Sequence, residues 1–158
     1  MISIITGEKF VKNSKIGVVT AKFNSDVTDK LEAGALTTLK EMGCSENHII
    51  SVRVPGAFEI PLAVQALLSN GCDAVIALGA VIRGETSHYD FVCNAVERGC
   101  SELQLKYHKP VAFGVLTTDT DEQAMDRAGG KHGNKGSEAA QVAIEMVSLL
   151  RQIGMDRV

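Results

Sequence analysis

Nine consecutive apolar residues, AVIALGAVI from Ala74 to Ile82, stand between Asp73 and Arg83. A run this short cannot cross a bilayer, which takes about 20 residues. An amphipathic surface strand would alternate polar and apolar residues, and this one does not. An uninterrupted apolar strand is what a parallel sheet needs at its centre, where helices cover both faces. The rest of the chain has to supply those helices and the flanking strands.

It does so by alternation. IGVVT (Ile16 to Thr20) is followed by Asn24 as a candidate N-cap and by Val27, Leu31, Ala35, Leu39 and Met42, one face of a helix that Gly43 ends. Ile49 to Val54 reads as a second strand. The Pro55-Gly56 turn leads to a helix from about Phe58 to Leu68, with Pro61 in its first turn, where its missing N–H costs nothing. After the long strand, a helix beginning near Ser87 carries Val92, Ala95, Val96, Gly99 and Leu103. Pro110 introduces VAFGVLTT, and Thr120-x-x-Gln123 has the form of a capping box. The last helix runs from about Ser137 to Ile153.

The expected architecture is therefore a single α/β domain over residues 1–158, flavodoxin-like, with three layers and a central, mainly parallel four-stranded sheet. The segment 1–11 adds an N-terminal strand, ISII, with two pairings open: the chain's own sheet or the sheet edge of a neighbouring subunit.

Composition narrows the partners. The 158 residues are 45% hydrophobic and 22% charged, with no Trp, two Tyr and five Phe, so the core is aliphatic. A net charge of -3 lacks the basic surface that nucleic acid or an anionic membrane requires. The first residues hold too short an apolar run for a signal peptide. Cys44, Cys72, Cys93 and Cys100 form no C-x-x-C pair and have no His at zinc spacing. Reduced structural thiols, a cytoplasmic setting and no metal are the expectation.

In a parallel sheet, ligands bind beyond the carboxyl ends of the strands. Four such places carry functional side chains: Phe23-Asn24, Gly56 to Glu59, Arg83 to His88 and Thr117 to Thr120. Each residue also has a plainer reading. His88 can cap a helix or transfer protons, Glu59 can complement a helix dipole or hold a ligand, and Phe23 and Phe58 can pack or stack. A further concentration, RAGGKHGNKGSEAA from Arg127 to Ala140, reads either as an anion site or as a mobile basic connection. It is no Walker A loop, because Gly136 follows Lys135, and no G-x-G-x-x-G follows any strand.

The motifs VPGAFEIP, ALGAVIRGETSHYDFVC, FGVLTTDT and KHGNKGSEAA, in this order and over nearly the whole chain, resemble the lumazine synthase family of riboflavin biosynthesis. The resemblance implies condensation of 5-amino-6-ribitylaminouracil with 3,4-dihydroxy-2-butanone 4-phosphate, without a cofactor. It implies that Phe23 stacks on the pyrimidine ring, that Asn24, Ala57 and Glu59 hold the ribityl chain, that Val81 and Ile82 meet the ring edge, and that Phe58 is also a substrate-binding residue. Gly84, Glu85 and Thr86 would receive the phosphate, and His88 would be the catalytic proton carrier. Phe113, Arg127, Lys135 and Glu138 would come from the adjacent subunit of a homopentamer. The tight GGKHGNKG connection resembles members that pack pentamers into an icosahedral capsid, a shell able to encapsulate riboflavin synthase. Two other readings are an archaeal-type riboflavin synthase, disfavoured by the complete GAFE and RGETSHYD motifs, and a non-catalytic lumazine- or flavin-binding or shell protein of the same fold.

Overall fold

The computed structural model describes residues 1–154. Four strands, β1 (Ile16–Ala21), β2 (Ile49–Val54), β3 (Ala74–Ile82) and β4 (Val111–Thr118), form one parallel sheet in the order β2-β1-β3-β4. Helices α1 (Ser25–Glu41) and α5 (Lys135–Ile153) pack on one face, and α2 (Ile60–Ser69) and α3 (His88–Tyr107) on the other. These are the three expected layers.

Adjacent strand residues serve opposite cores. Val18, Ile76 and Leu78 meet Leu31, Leu39, Ala143 and Ile144 beneath α1 and α5. Val19, Val75 and Ala77 meet Ile60, Val64, Val96 and Cys100 beneath α2 and α3. With both faces covered, β1 and most of β3 are buried at every position, which is why their sequences show no polar alternation.

The order places a topological switch between β1 and β3. From β1 the chain goes outward to β2, then returns to β1's other side, so the two following connections diverge and leave a crevice at the strand ends. Pairing continues past the ends of β1 and β2: Lys22 and Phe23 donate their backbone N–H groups to the carbonyls of Val54 and Pro55, at 2.7 and 3.1 Å. Phe23 is thereby fixed beside the Pro55-Gly56 turn.

Three expectations are refined. The ISII segment joins no strand of the chain's own sheet; Ile2 and Ile4 are exposed, while residues 6–13 lie along α5 through bonds from Glu8 N–H to Ser148 Oγ, Gln152 to the Thr6 carbonyl, and Arg151 to the Lys12 carbonyl. Asn24 is the N-cap of α1 as expected, its carbonyl accepting from the N–H groups of Val27 and Thr28, but its side chain makes no capping bond. The Arg127–Gly136 connection is ordered rather than loose: after α4 (Asp121–Asp126) come β5 (Ala128–Gly130) and β6 (Gly133–Asn134), a small antiparallel hairpin. The Asn134 side chain accepts from the N–H groups of Gly136 and Ser137, so α5 begins at Lys135, two residues before the position its periodicity suggests. The capping box of α4 forms as expected, Thr120 with Gln123.

Candidate active site

The crevice at the switch point is a cleft of about 580 Å³, within the range of small-molecule sites. Three of the four segments beyond strand ends build it. Phe23 and Asn24 come from the end of β1, Ala57, Phe58 and Glu59 from the single 3₁₀ turn after β2, and Val81, Ile82, Gly84, Thr86 and His88 from the end of β3 and the start of α3. Glu85 lies exposed in the same loop but does not line the cleft.

Phe23 and Phe58 are 71% and 63% exposed, too open to be core residues, and they line the cavity with half-buried Val81 and Ile82. A flat heterocycle finds apolar surface there. Glu59 supplies a carboxylate and His88 an imidazole. The backbone N–H groups of residues 84–87 find no acceptor among the described residues, which leaves donors in front of α3 for an anion.

Phe23 is aimed by its neighbour. Asn24 takes a left-handed conformation, φ 62°, and its side-chain amide donates to the Ala80 carbonyl of β3 at 2.8 Å. Asn tolerates this conformation better than most non-glycine residues. The N-cap residue of α1 is thus also a cross-link between the ends of β1 and β3.

The remaining sequence-nominated residues lie elsewhere in the chain. Arg127, Lys135 and Glu138 line a second cavity, about 320 Å³, beside β4, an edge strand of the sheet, with Thr117 and His132. Phe113 sits half-buried on β4 opposite Ala77 and lines neither cavity. One chain thus carries two separate groups of nominated residues at different parts of its strand-end edge. Tyr89 and Val92 also line the main cleft. Their signal is helical spacing: Val92 lies four residues after His88 and three after Tyr89 in the first turns of α3.

Among the described residues no group of three or more His, Cys, Asp or Glu side chains is placed to hold a metal ion. All four cysteines are free thiols, and burial pushes each upward, Cys100 to about 12. No described helix is long and apolar enough to cross a membrane.

Fold and cleft together define a doubly wound α/β protein with a small-molecule site at its switch point. Its family follows from comparison with known sequences. The profile of the 6,7-dimethyl-8-ribityllumazine synthase family matches residues 13–151. A protein of Bdellovibrio bacteriovorus named 6,7-dimethyl-8-ribityllumazine synthase is 58% identical over 139 residues, covering 88% of this chain and 76% of its own. The chain belongs to the 6,7-dimethyl-8-ribityllumazine synthase family.

Proposed function

We propose that the chain condenses 5-amino-6-(D-ribitylamino)uracil with 3,4-dihydroxy-2-butanone 4-phosphate to 6,7-dimethyl-8-ribityllumazine, inorganic phosphate and water, the penultimate step of riboflavin biosynthesis. Within a chain of this family, the observation that carries the reading is the convergence of Phe23, Glu59 and His88 on one cleft.

The pyrimidine ring lies against Phe23 with its edge toward Val81 and Ile82, and the ribityl chain runs past Asn24, Ala57, Phe58 and Glu59. The free N–H groups at Gly84, Glu85 and Thr86 receive the phosphate. The 5-amino group attacks the ketone and loses water to form an imine. Loss of the proton from C3 then expels phosphate from C4, the resulting enol tautomerises to a ketone at C3, and the ribityl-bearing nitrogen closes the ring on that new carbonyl with loss of another water. Protons must be delivered and removed at each stage near one locus. Imidazole is the side chain that gains and loses a proton nearest neutral pH, and His88 stands at the cleft's edge. Orientation of two bound reactants contributes the rest, since well-aligned pairs reach effective molarities of about 10⁵ M or more. No cofactor enters these steps.

One chain offers only half of this site. Arg127, Lys135 and Glu138 line their own cavity beside β4, and a neighbouring subunit bringing that cavity, with Phe113, against the main cleft would supply the phosphate's cation. A homopentamer provides such neighbours in a closed ring, packed in turn into an icosahedral capsid that can hold riboflavin synthase, in the cytoplasm. The exposed apolar segment ISII is suited to pair with an adjacent subunit's sheet edge.

The reading is tested by incubating the protein with both substrates, without added metal or cofactor, and following lumazine fluorescence and phosphate release. One phosphate per lumazine, formed well above the rate of the spontaneous reaction, is expected. Tight binding of the product with no acceleration would instead identify a non-catalytic lumazine-binding shell.

A further inference from the structure

Arg83, the first residue after β3, has no role in the steps above, yet it makes more contacts at the strand-end edge than its neighbours in the loop. Its backbone N–H donates to the Thr118 carbonyl at 2.9 Å, and its Nε donates to Asp119 Oδ1 at 2.9 Å. Its Nη1 lies 3.8 Å from Asp90 Oδ1, and its guanidinium carbon sits 4.3 Å from the centre of the Tyr89 ring. One side chain thus joins the loop after β4 to the first turn of α3.

Besides Arg83, that turn is held by Thr117 beside the Tyr89 hydroxyl and by Thr86 Oγ1, which accepts from the His88 N–H at 3.4 Å, but its start is not capped. Ser87, at the N-cap position of α3, makes no side-chain capping bond. Gly84 has no heavy atom within 4 Å of where a Cβ would stand, so the loop is not packed down at its start. His88 opens α3, and the two residues after it are the ones Arg83 holds. A flat guanidinium can meet Asp119 edge-on and Tyr89 face-on at once, which an ammonium cannot.

We propose that Arg83 is a positioning residue for His88: by clamping Tyr89 and Asp90 to Asp119 it fixes the start of α3, and with it the imidazole, against the cleft. This rests on the reading of His88 as the proton-transfer group. Exposed ion pairs of this kind add little to global stability, so the effect of losing the clamp falls on turnover rather than on folding.

The test compares steady-state kinetics of the full-length, assembled protein carrying Arg83→Ala, Asp119→Asn, His88→Ala, and each of the first two combined with His88→Ala. Arg83→Ala is expected to lower kcat by about tenfold or more, while the aminouracil KM stays within about threefold because Phe23 and Glu59 are untouched. Asp119→Asn, which leaves the Tyr89 contact in place, should lower kcat less and serves as the readout if Arg83→Ala does not fold. In the His88→Ala background both changes should alter kcat by less than about twofold, since a mispositioned imidazole can cost nothing once the imidazole is gone. A loss from either change as large in that background as in the wild-type protein would show that the clamp does not act through His88. An unchanged kcat in both single variants would overturn the proposal directly. If His88→Ala alone left turnover intact, the assignment of His88 would fall first, an outcome separable from failure of the clamp.

Discussion

The Asn24 amide and the Ala80 carbonyl, 2.8 Å apart, tie the end of β1 to the end of β3 across the mouth of the cleft. Because Asn24 is also left-handed, its loss has two separable parts. Asn24→Ala removes a half-buried hydrogen bond and leaves in the left-handed region a residue that tolerates it less well than Asn, and should cost about 2 kcal/mol of stability. Asn24→Gly removes only the bond and should cost about half as much. Urea unfolding of both variants checks this; equal losses would mean that the backbone conformation contributes nothing.

Phe23 presents an exposed ring rather than a packed one. Phe23→Ala should therefore leave the unfolding midpoint nearly unchanged while weakening aminouracil or product-analogue binding by about 1 to 3 kcal/mol. Titration calorimetry alongside thermal unfolding separates the two. Intact affinity would reduce Phe23 to a surface residue.

Helices α1 and α5 approach so closely that a Cβ on Gly136 would run into the backbone carbonyl of Leu31. The obstacle is main chain, which cannot swing aside like a side chain. Gly136→Ala should destabilise by about 1 to 3 kcal/mol through overpacking, and because Lys135 and Glu138 sit in the same first turn, phosphate-substrate KM should rise with it. A variant of unchanged stability would contradict this close packing.

The Arg53 guanidinium, hydrogen-bonded to both carboxylate oxygens of buried Glu32, holds that carboxyl below its ordinary range against the opposing pull of burial. A carboxyl whose folded value is depressed stabilises the protein fully above its unfolded value, about 4.5, and loses that contribution as pH falls through the lower folded value. Glu32→Gln should accordingly be less stable than wild type at pH 6 and converge on it toward pH 3. Denaturation midpoints taken over that interval give the difference, and a gap that stays constant with pH would remove Glu32 from the acid response.

What could be read from the sequence was what depends on contiguous residues. β3 occupies Ala74–Ile82 as its unbroken apolar run implies, β4 occupies Val111–Thr118, the VAFGVLTT stretch after Pro110, and Thr120 with Gln123 forms its box because the partners are three residues apart. Asn24 takes the N-cap position its place in the sequence implies, but its side-chain bond was not legible because capping rules look for a local N–H, whereas its partner lies 56 residues away on another strand. The β5–β6 hairpin has strands of three and two residues, too short to show a period. The convergence of Phe23, Glu59 and His88 followed from the direction of a parallel sheet. The separation of Arg127, Lys135 and Glu138 into their own cavity did not, since it depends on β4 being an edge strand with α5 starting beside it.

That separation makes the shared site the central claim, and mixing two broken subunits tests it most directly. Glu59→Ala damages the cleft formed around Phe23 and His88, and Arg127→Ala damages the second cavity. Co-refolded in equal amounts, the two chains should form wild-type sites wherever an Arg127→Ala cleft meets the Glu59→Ala chain's intact cavity. Random placement around a ring gives about one quarter of all sites, and hence about one quarter of wild-type activity from two nearly inactive parents. If mass-tagged subunits are shown to have mixed and activity stays at the parents' level, Arg127 does not act across a subunit boundary and each chain must contain its whole site.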